Sequence, residues 1–113
     1  MANFQVPGRG EVSANNQAIF DQLQSKVGFV PNLYAYFGKH DNALADYLAL
    51  SGRNSTLSNK EKEVVSLVVS EINGCNYCQS AHTAMGQMNG FSEEQILELR
   101  TGRASFDAKL DAL

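Results

Sequence analysis

The sequence predicts an all-α protein, and three observations carry that prediction. Ser58-Asn59-Lys60-Glu61 and Ser92-Glu93-Glu94-Gln95 both have the form of a capping box, in which a hydroxyl and a carboxylate or amide satisfy free backbone N–H groups at a helix start. Apolar residues recur at helical spacing between glycine and proline stops. No two segments of alternating polarity are joined by a hairpin turn.

In chain order, residues 1–12, with Pro7-Gly8-Arg9-Gly10, read as an irregular lead-in. Ser13 is placed to cap a helix running to about Lys26, with Ile19, Leu23 and Val27 on one face and Gly28 as its stop. Pro31 suits a first helical position, and Leu33, Tyr34 and Phe37 repeat at helical spacing up to Gly38. Asp41 is the expected cap of the next helix, whose apolar stripe is Leu44, Tyr47 and Leu48; Gly52 to Thr56 read as a loop. After Ser58 the run Val64, Val65, Leu67, Val68, Val69, Ile72 is β-branched enough to suggest a strand. The capping box, the length and the 64/65/68/72 spacing favour a largely buried helix instead, ended by Asn73-Gly74. A helix starting at Cys75 runs to Gly90, with Met85 and Met88 expected in the core; a short helix follows Ser92 through Leu99. Phe106, Leu110 and Leu113 begin a last apolar stripe that stops without a cap. That stub reads either as a truncation or as a surface that packs on another subunit, and an uncovered stripe of this kind predicts a homo-oligomer.

Length and charge narrow the function classes. A chain of 113 residues is one domain, 1–113, and buries roughly two-thirds of the surface its unfolded form exposes. The net charge of -3 argues against a nucleic-acid or anionic-membrane surface, which needs clustered Lys and Arg. No apolar run approaches the roughly 20 residues of a membrane span. Met1-Ala2-Asn3-Phe4-Gln5 lacks the basic start and apolar stretch of a signal peptide, so a cytoplasmic protein is expected. In that compartment a close cysteine pair points to catalysis or metal rather than to a structural bridge.

Both cysteines and one of the two histidines fall in Glu71-Ile72-Asn73-Gly74-Cys75-Asn76-Tyr77-Cys78-Gln79-Ser80-Ala81-His82. Groups three and four apart share a helix face, so Cys75, Cys78 and His82 converge on one patch. A helix start favours thiolate through its free N–H groups and dipole. The flexible Asn73-Gly74 link lets Cys75 leave helical geometry, which a disulfide requires: its Cβ atoms lie at about 4 Å, closer than the ~5–6 Å of helical neighbours. His82 can take and return the thiol proton. Glu63 and Glu71 are the acidic candidates. Glu63 is set among apolar neighbours and partly desolvated, which suits proton exchange with a histidine; Glu71 is expected in solvent.

The segment Glu63-Val64-Val65-Ser66-Leu67-Val68-Val69-Ser70-Glu71-Ile72-Asn73-Gly74-Cys75-Asn76-Tyr77-Cys78-Gln79-Ser80-Ala81-His82 resembles the active-site segment of alkylhydroperoxidase D-like proteins, within the carboxymuconolactone decarboxylase superfamily. The family pattern is a Glu twelve residues before the first Cys, then Cys-x-x-Cys, then His four residues after the second Cys; all four positions match. The match is strong over about residues 58–92, and Val30-Pro31-Asn32-Leu33 looks like the family's preceding helix. The resemblance implies a single-domain helical bundle with its CxxC at a helix N-terminus, assembled into a trimer or hexamer. It implies peroxide reduction at Cys78, resolution by Cys75, a Glu63/His82 proton relay, an external dithiol electron donor and no organic cofactor. Tyr77 stands where the best-studied members carry His; a phenol is a poor base at neutral pH, so Tyr77 is expected to assist only as a hydrogen-bond donor.

Blander readings compete. Cys75, Cys78 and His82 offer three zinc ligands where structural zinc takes four, with His40 far along the chain in a loop. Lactone decarboxylation, the superfamily's other named activity, does not call for a cysteine pair. A redox-responsive binding protein, whose disulfide switches a partner surface, is the rival of another class. The redox reading predicts a reversible intramolecular Cys75–Cys78 disulfide and no metal.

Overall fold

The computed structural model describes residues 5–113. Among these it is all-α, with seven α-helices and no strand: α1 (Ala14–Val27), α2 (Asn32–Phe37), α3 (Ala43–Ser51), α4 (Asn59–Ile72), α5 (Asn76–Met88), α6 (Glu93–Arg100) and α7 (Ala108–Asp111). Among the described residues no helix is long and apolar enough to cross a membrane. Contacts divide the chain into two compact units, one up to Asn54 and one of Ser55–Leu113. The first four residues of the expected lead-in lie outside the described residues; of its remainder, Arg9–Glu11 form a 3₁₀ turn, tied to α1 by Arg9, which donates to both carboxylate oxygens of Asp21.

In the first unit Ser13 caps α1 by accepting the Asn16 N–H, as its position predicts, and the helix ends at Gly28. The expected apolar face needs correcting. Phe20, Ala35 and Leu44 form the core, with Ile19 packed against it, while Val27 at the helix end is half exposed. Asn16 is fully buried on the same face because its amide has work to do there. Its Nδ2 donates to the carbonyls of Gly38 and His40 at 3.1 and 3.0 Å and so fixes the turn after α2. Phe20 also presses on Gly38, where a Cβ would come within 2.8 Å of its ring, so only glycine fits. Pro31 is the cap of α2 rather than its first residue. Asn42, not Asp41, is the cap of α3; it uses no side-chain cap, and its N–H donates to His40 Nδ1.

The second unit is built on α4. Both capping boxes form as read: Ser58 exchanges bonds with Glu61, and Ser92 with Gln95. Val64, Leu67, Phe91, Ile96, Leu99, Ala104 and Leu110 make one core. The burial of α4 differs from the expected 64/65/68/72 face. Glu63, Val64, Leu67 and Ser70 point inward, whereas Val65, Val69 and Ile72 are 40%, 48% and 79% exposed. Apolar periodicity alone misplaces the helix by about one residue, a turn of ~100°. Met85 and Met88 are likewise not core residues; both are exposed. Gly86 holds the inward position of α5, where a Cβ would already meet Ile96 Cδ1 at 3.4 Å. The close approach of α5 to α6 and α4 leaves no room for a methionine.

The C-terminal stripe is also partly satisfied within the chain. Leu110 is buried in the core, and Phe106 packs edge-on against Phe91. Asp107 caps α7, Asp111 accepts the Ala104 N–H at 2.6 Å, and Lys109 pairs with Glu61 at 2.5 Å.

Two outcomes follow from this packing. Leu67→Ala should lower stability by about 2–5 kcal/mol, since its side chain is wholly enclosed. Met88→Ala should change it by no more than about 0.5 kcal/mol; urea denaturation of both variants checks the contrast. The second outcome concerns acid. The Lys109 ammonium, and then the Ser58 N–H, hold the Glu61 carboxyl below its ordinary 4.5; the Ala104 N–H, and then Arg103, hold Asp111 below 3.8. Carboxyls lowered in the folded state stabilise it fully above their ordinary values and lose that contribution as pH falls through the folded ones. The Leu110 methyl and Ala104 amide resonances should therefore report undocking of α7 below about pH 4, and Lys109→Met should reduce the share that comes from Glu61.

Candidate active site

The site forms where α4 breaks and α5 begins. Asn73 ends α4, and Gly74 reverses the chain at φ 62°, a left-handed conformation that glycine adopts without strain. Cys75 follows in extended geometry, at φ -85° and ψ 93°, outside the helix as its link predicts. Its N–H donates to the Ser70 carbonyl at 3.1 Å. Its Sγ is the N-cap of α5 and accepts the Cys78 N–H at 3.2 Å. Cys75 and Cys78 are joined as a disulfide, with Cα atoms 5.2 Å apart. The sulfur of Cys75 thus occupies the position where a helix N-terminus best stabilises negative charge.

One turn beyond Cys78, His82 Nδ1 lies 2.7 Å from Glu63 Oε2. The Glu63 side chain is 7% exposed and that of His82 is 27% exposed. A carboxyl enclosed to this degree among Val64 and Leu67 needs a polar partner, and the imidazole supplies it. With Nδ1 engaged by Glu63, Nε2 is the ring's other hydrogen-bonding site.

An open cleft of about 270 Å³ borders these groups. Cys75, Cys78 and His82 line it together with Val65, Val69, Ser66, Ser70 and Asn73. Glu63 does not line the cleft, but it is hydrogen-bonded to His82, which does. Tyr77 is 52% exposed and does not line the cleft. The same α4 valines border a second hollow of about 210 Å³ on their other side, toward Leu110 and Leu113.

Three polar residues join the site that sequence reasoning missed. Arg100, at the end of α6, donates through Nε to Glu71 Oε2 at 2.7 Å and through Nη2 to Gln79 Oε1 at 3.0 Å. Gln79 Nε2 donates onward to the Ser70 carbonyl at 3.3 Å. Glu71 is therefore ion-paired rather than simply solvated. Ser70 is buried, its hydroxyl donating to the Ser66 carbonyl at 2.5 Å. The capping-box helix and the Cys-x-x-Cys spacing carry no trace of Arg100, which lies 21 residues beyond Gln79 in the chain. Among the described residues no group of three or more His, Cys, Asp or Glu side chains is arranged to hold a metal ion.

The arrangement sets the Cys75–Cys78 disulfide and the hydrogen-bonded Glu63–His82 pair beside one cleft. A comparison with curated proteins gives no match. The model of the carboxymuconolactone decarboxylase family matches residues 31–112, from the start of α2 through α7. With most of its length matched, the chain belongs to the carboxymuconolactone decarboxylase family.

Proposed function

We propose that the protein is a thiol-dependent peroxidase and disulfide oxidoreductase of the alkylhydroperoxidase D-like type. The observation that carries this reading is the cleft shared by Cys75, Cys78 and His82, with His82 hydrogen-bonded to the buried Glu63. In the reduced enzyme the Cys78 thiolate attacks the O–O bond of a hydroperoxide. One oxygen stays on sulfur as sulfenic acid, and the other leaves as alkoxide, protonated from the Glu63/His82 couple. Cys75 then attacks the sulfenic sulfur, expelling water and closing the disulfide. An external dithiol reopens it. Sulfur carries the electrons, so no organic cofactor is required, and such cycling fits a cytoplasmic setting where disulfides are continually reduced.

The capping geometry supports a division of labour between the cysteines. Thiol–disulfide exchange is fastest when the leaving sulfur is the better stabilised thiolate. Cys75 accepts the Cys78 N–H at the helix start, so an incoming thiolate attacks Cys78 and expels Cys75. Lactone decarboxylation makes no use of this pair. A non-catalytic redox switch would form the disulfide but would not turn over.

Stopped-flow oxidation by hydrogen peroxide and organic hydroperoxides, followed by reduction with a dithiol, tests the scheme. Cys78→Ser should abolish peroxide consumption. Cys75→Ser should react once, trap a sulfenic acid on Cys78, and form a stable mixed disulfide there with added thiol. Glu63→Gln and His82→Gln should slow the first step by about 10²–10⁴-fold. His82→Ala should in addition destabilise the protein by about 1–3 kcal/mol, because it leaves the Glu63 carboxyl buried without a partner. Tyr77→Phe should have little effect. Peroxide consumption retained in Cys78→Ser and lost in Cys75→Ser would exchange the two roles; an unchanged rate in Glu63→Gln would remove the relay.

The reading includes a homo-oligomer, trimer or hexamer; of the C-terminal stripe, Phe106 and Leu113 stay exposed to support it while Leu110 does not. With Leu110 enclosed, the exposed apolar strip Val65, Val69 and Ile72 on α4 is the stronger candidate interface. Light scattering at micromolar concentration should give a multiple of the 12.3 kDa chain mass, and Val69→Lys should lower it. A wild-type monomer would reject this part of the reading.

A further inference from the structure

The Ser70 carbonyl accepts two hydrogen bonds, one from the Cys75 N–H at 3.1 Å and one from Gln79 Nε2 at 3.3 Å. Gln79 adjoins Cys78 in the chain. One carbonyl at the end of α4 therefore anchors both sulfur-bearing positions. Gln79 is held for this task by Arg100, whose Nη2 takes its Oε1 while Nε grips Glu71 on α4. A guanidinium suits the place because its fixed fork serves two acceptors in different directions at once. A primary amide whose oxygen is taken in this way presents its NH₂ in one orientation only, toward Ser70.

We propose that Arg100 is a positioning residue that sets the redox poise of the Cys75–Cys78 pair through Gln79. This rests on the reversible cycling of that pair in the reading above. None of the clamp's hydrogen bonds involves a sulfur, so reduction of the disulfide leaves them in place. The two thiols then stay in register, their effective concentration stays high, and the disulfide re-forms readily. Without the clamp the start of α5 is free to move away from α4 once the S–S bond opens. The open dithiol gains freedom that the closed form lacks, and the equilibrium moves toward it.

Equilibration of the full-length protein with mixtures of reduced and oxidised glutathione tests this directly. Two glutathione thiols supply two electrons and two protons, giving the protein dithiol and glutathione disulfide; alkylation and mass measurement count the thiols. Arg100→Ala, Arg100→Lys and Gln79→Ala should each shift the equilibrium toward the dithiol by about tenfold, which is ~30 mV for a two-electron couple. The double variant Arg100→Lys/Gln79→Ala should shift it no further than either single change. Arg100→Lys keeps the charge opposite Glu71 and should melt close to wild type, so its redox shift separates positioning from stability, even where Arg100→Ala folds poorly. An unchanged equilibrium in a folded Arg100→Lys, a shift toward the disulfide, or full additivity in the double variant would overturn the proposal. The readout requires no peroxide turnover, so a failure of the peroxidase reading and a failure of the clamp are seen separately.

Discussion

The contact between Glu63 and His82 governs the second unit. Helix α4 carries valine or leucine at five of the six positions from Val64 to Val69, with Ser66 the exception, so greasiness alone barely distinguishes one face from another. A carboxyl does distinguish them. Once Glu63 turns inward to meet His82 at 2.7 Å, Leu67 and Ser70 must follow it, since they lie four and seven residues on. Val65, Val69 and Ile72 are left outside by the same rotation. Leaving the Glu63 carboxyl buried without a partner costs about 1–3 kcal/mol, against the roughly 1 kcal/mol that half-burial of a valine returns. The polar pair therefore outweighs the apolar pattern in fixing the phase of the helix.

That phase in turn determines the chemistry. It delivers Ser70 to the point where the chain leaves α4, so that its carbonyl is in place to receive the Cys75 N–H. Gly74, in its left-handed conformation, makes the reversal short enough for this bond to form. Cys75 then cannot be helical and becomes the cap of α5, its sulfur on the free N–H of Cys78. Two cysteines held wholly within a helix would sit too far apart to bridge comfortably; one inside and one at the edge meet the requirement. The glutamate, the serine carbonyl and the glycine thus act in sequence along one helix and its exit.

Much of this was legible in the residues because the signals are local. Ser13, Ser58 and Ser92 announce helix starts through side chains that bond within three residues, and the helices begin there. Gly28, Gly74 and Gly90 mark ends in the same short-range way. The offset of His82 from Cys78 is a one-turn relation, so a reader of the sequence can place both on one patch. Where the reading failed, the deciding interaction was tertiary. Met85 and Met88 look like core residues until Gly86 is seen against Ile96. Asp41 looks like a cap until His40 takes the Asn42 N–H.

Arg100 is the extreme of that second kind. Its partners lie 29 and 21 residues earlier in the chain, on two different helices. Read along α6 it is a basic residue in the last turn, where a cation complements the helix dipole, and nothing more is asked of it. Only when α4, α5 and α6 are packed does its fork reach Glu71 and Gln79 together. The order of construction then becomes clear. The core formed by Leu67, Ile96 and Leu99 brings the end of α6 alongside the break between α4 and α5. A residue chosen for a helix terminus thereby comes to brace a dithiol. The cysteine spacing specifies that a disulfide can form; the apolar packing beneath it decides which distant side chain holds the two sulfurs in register.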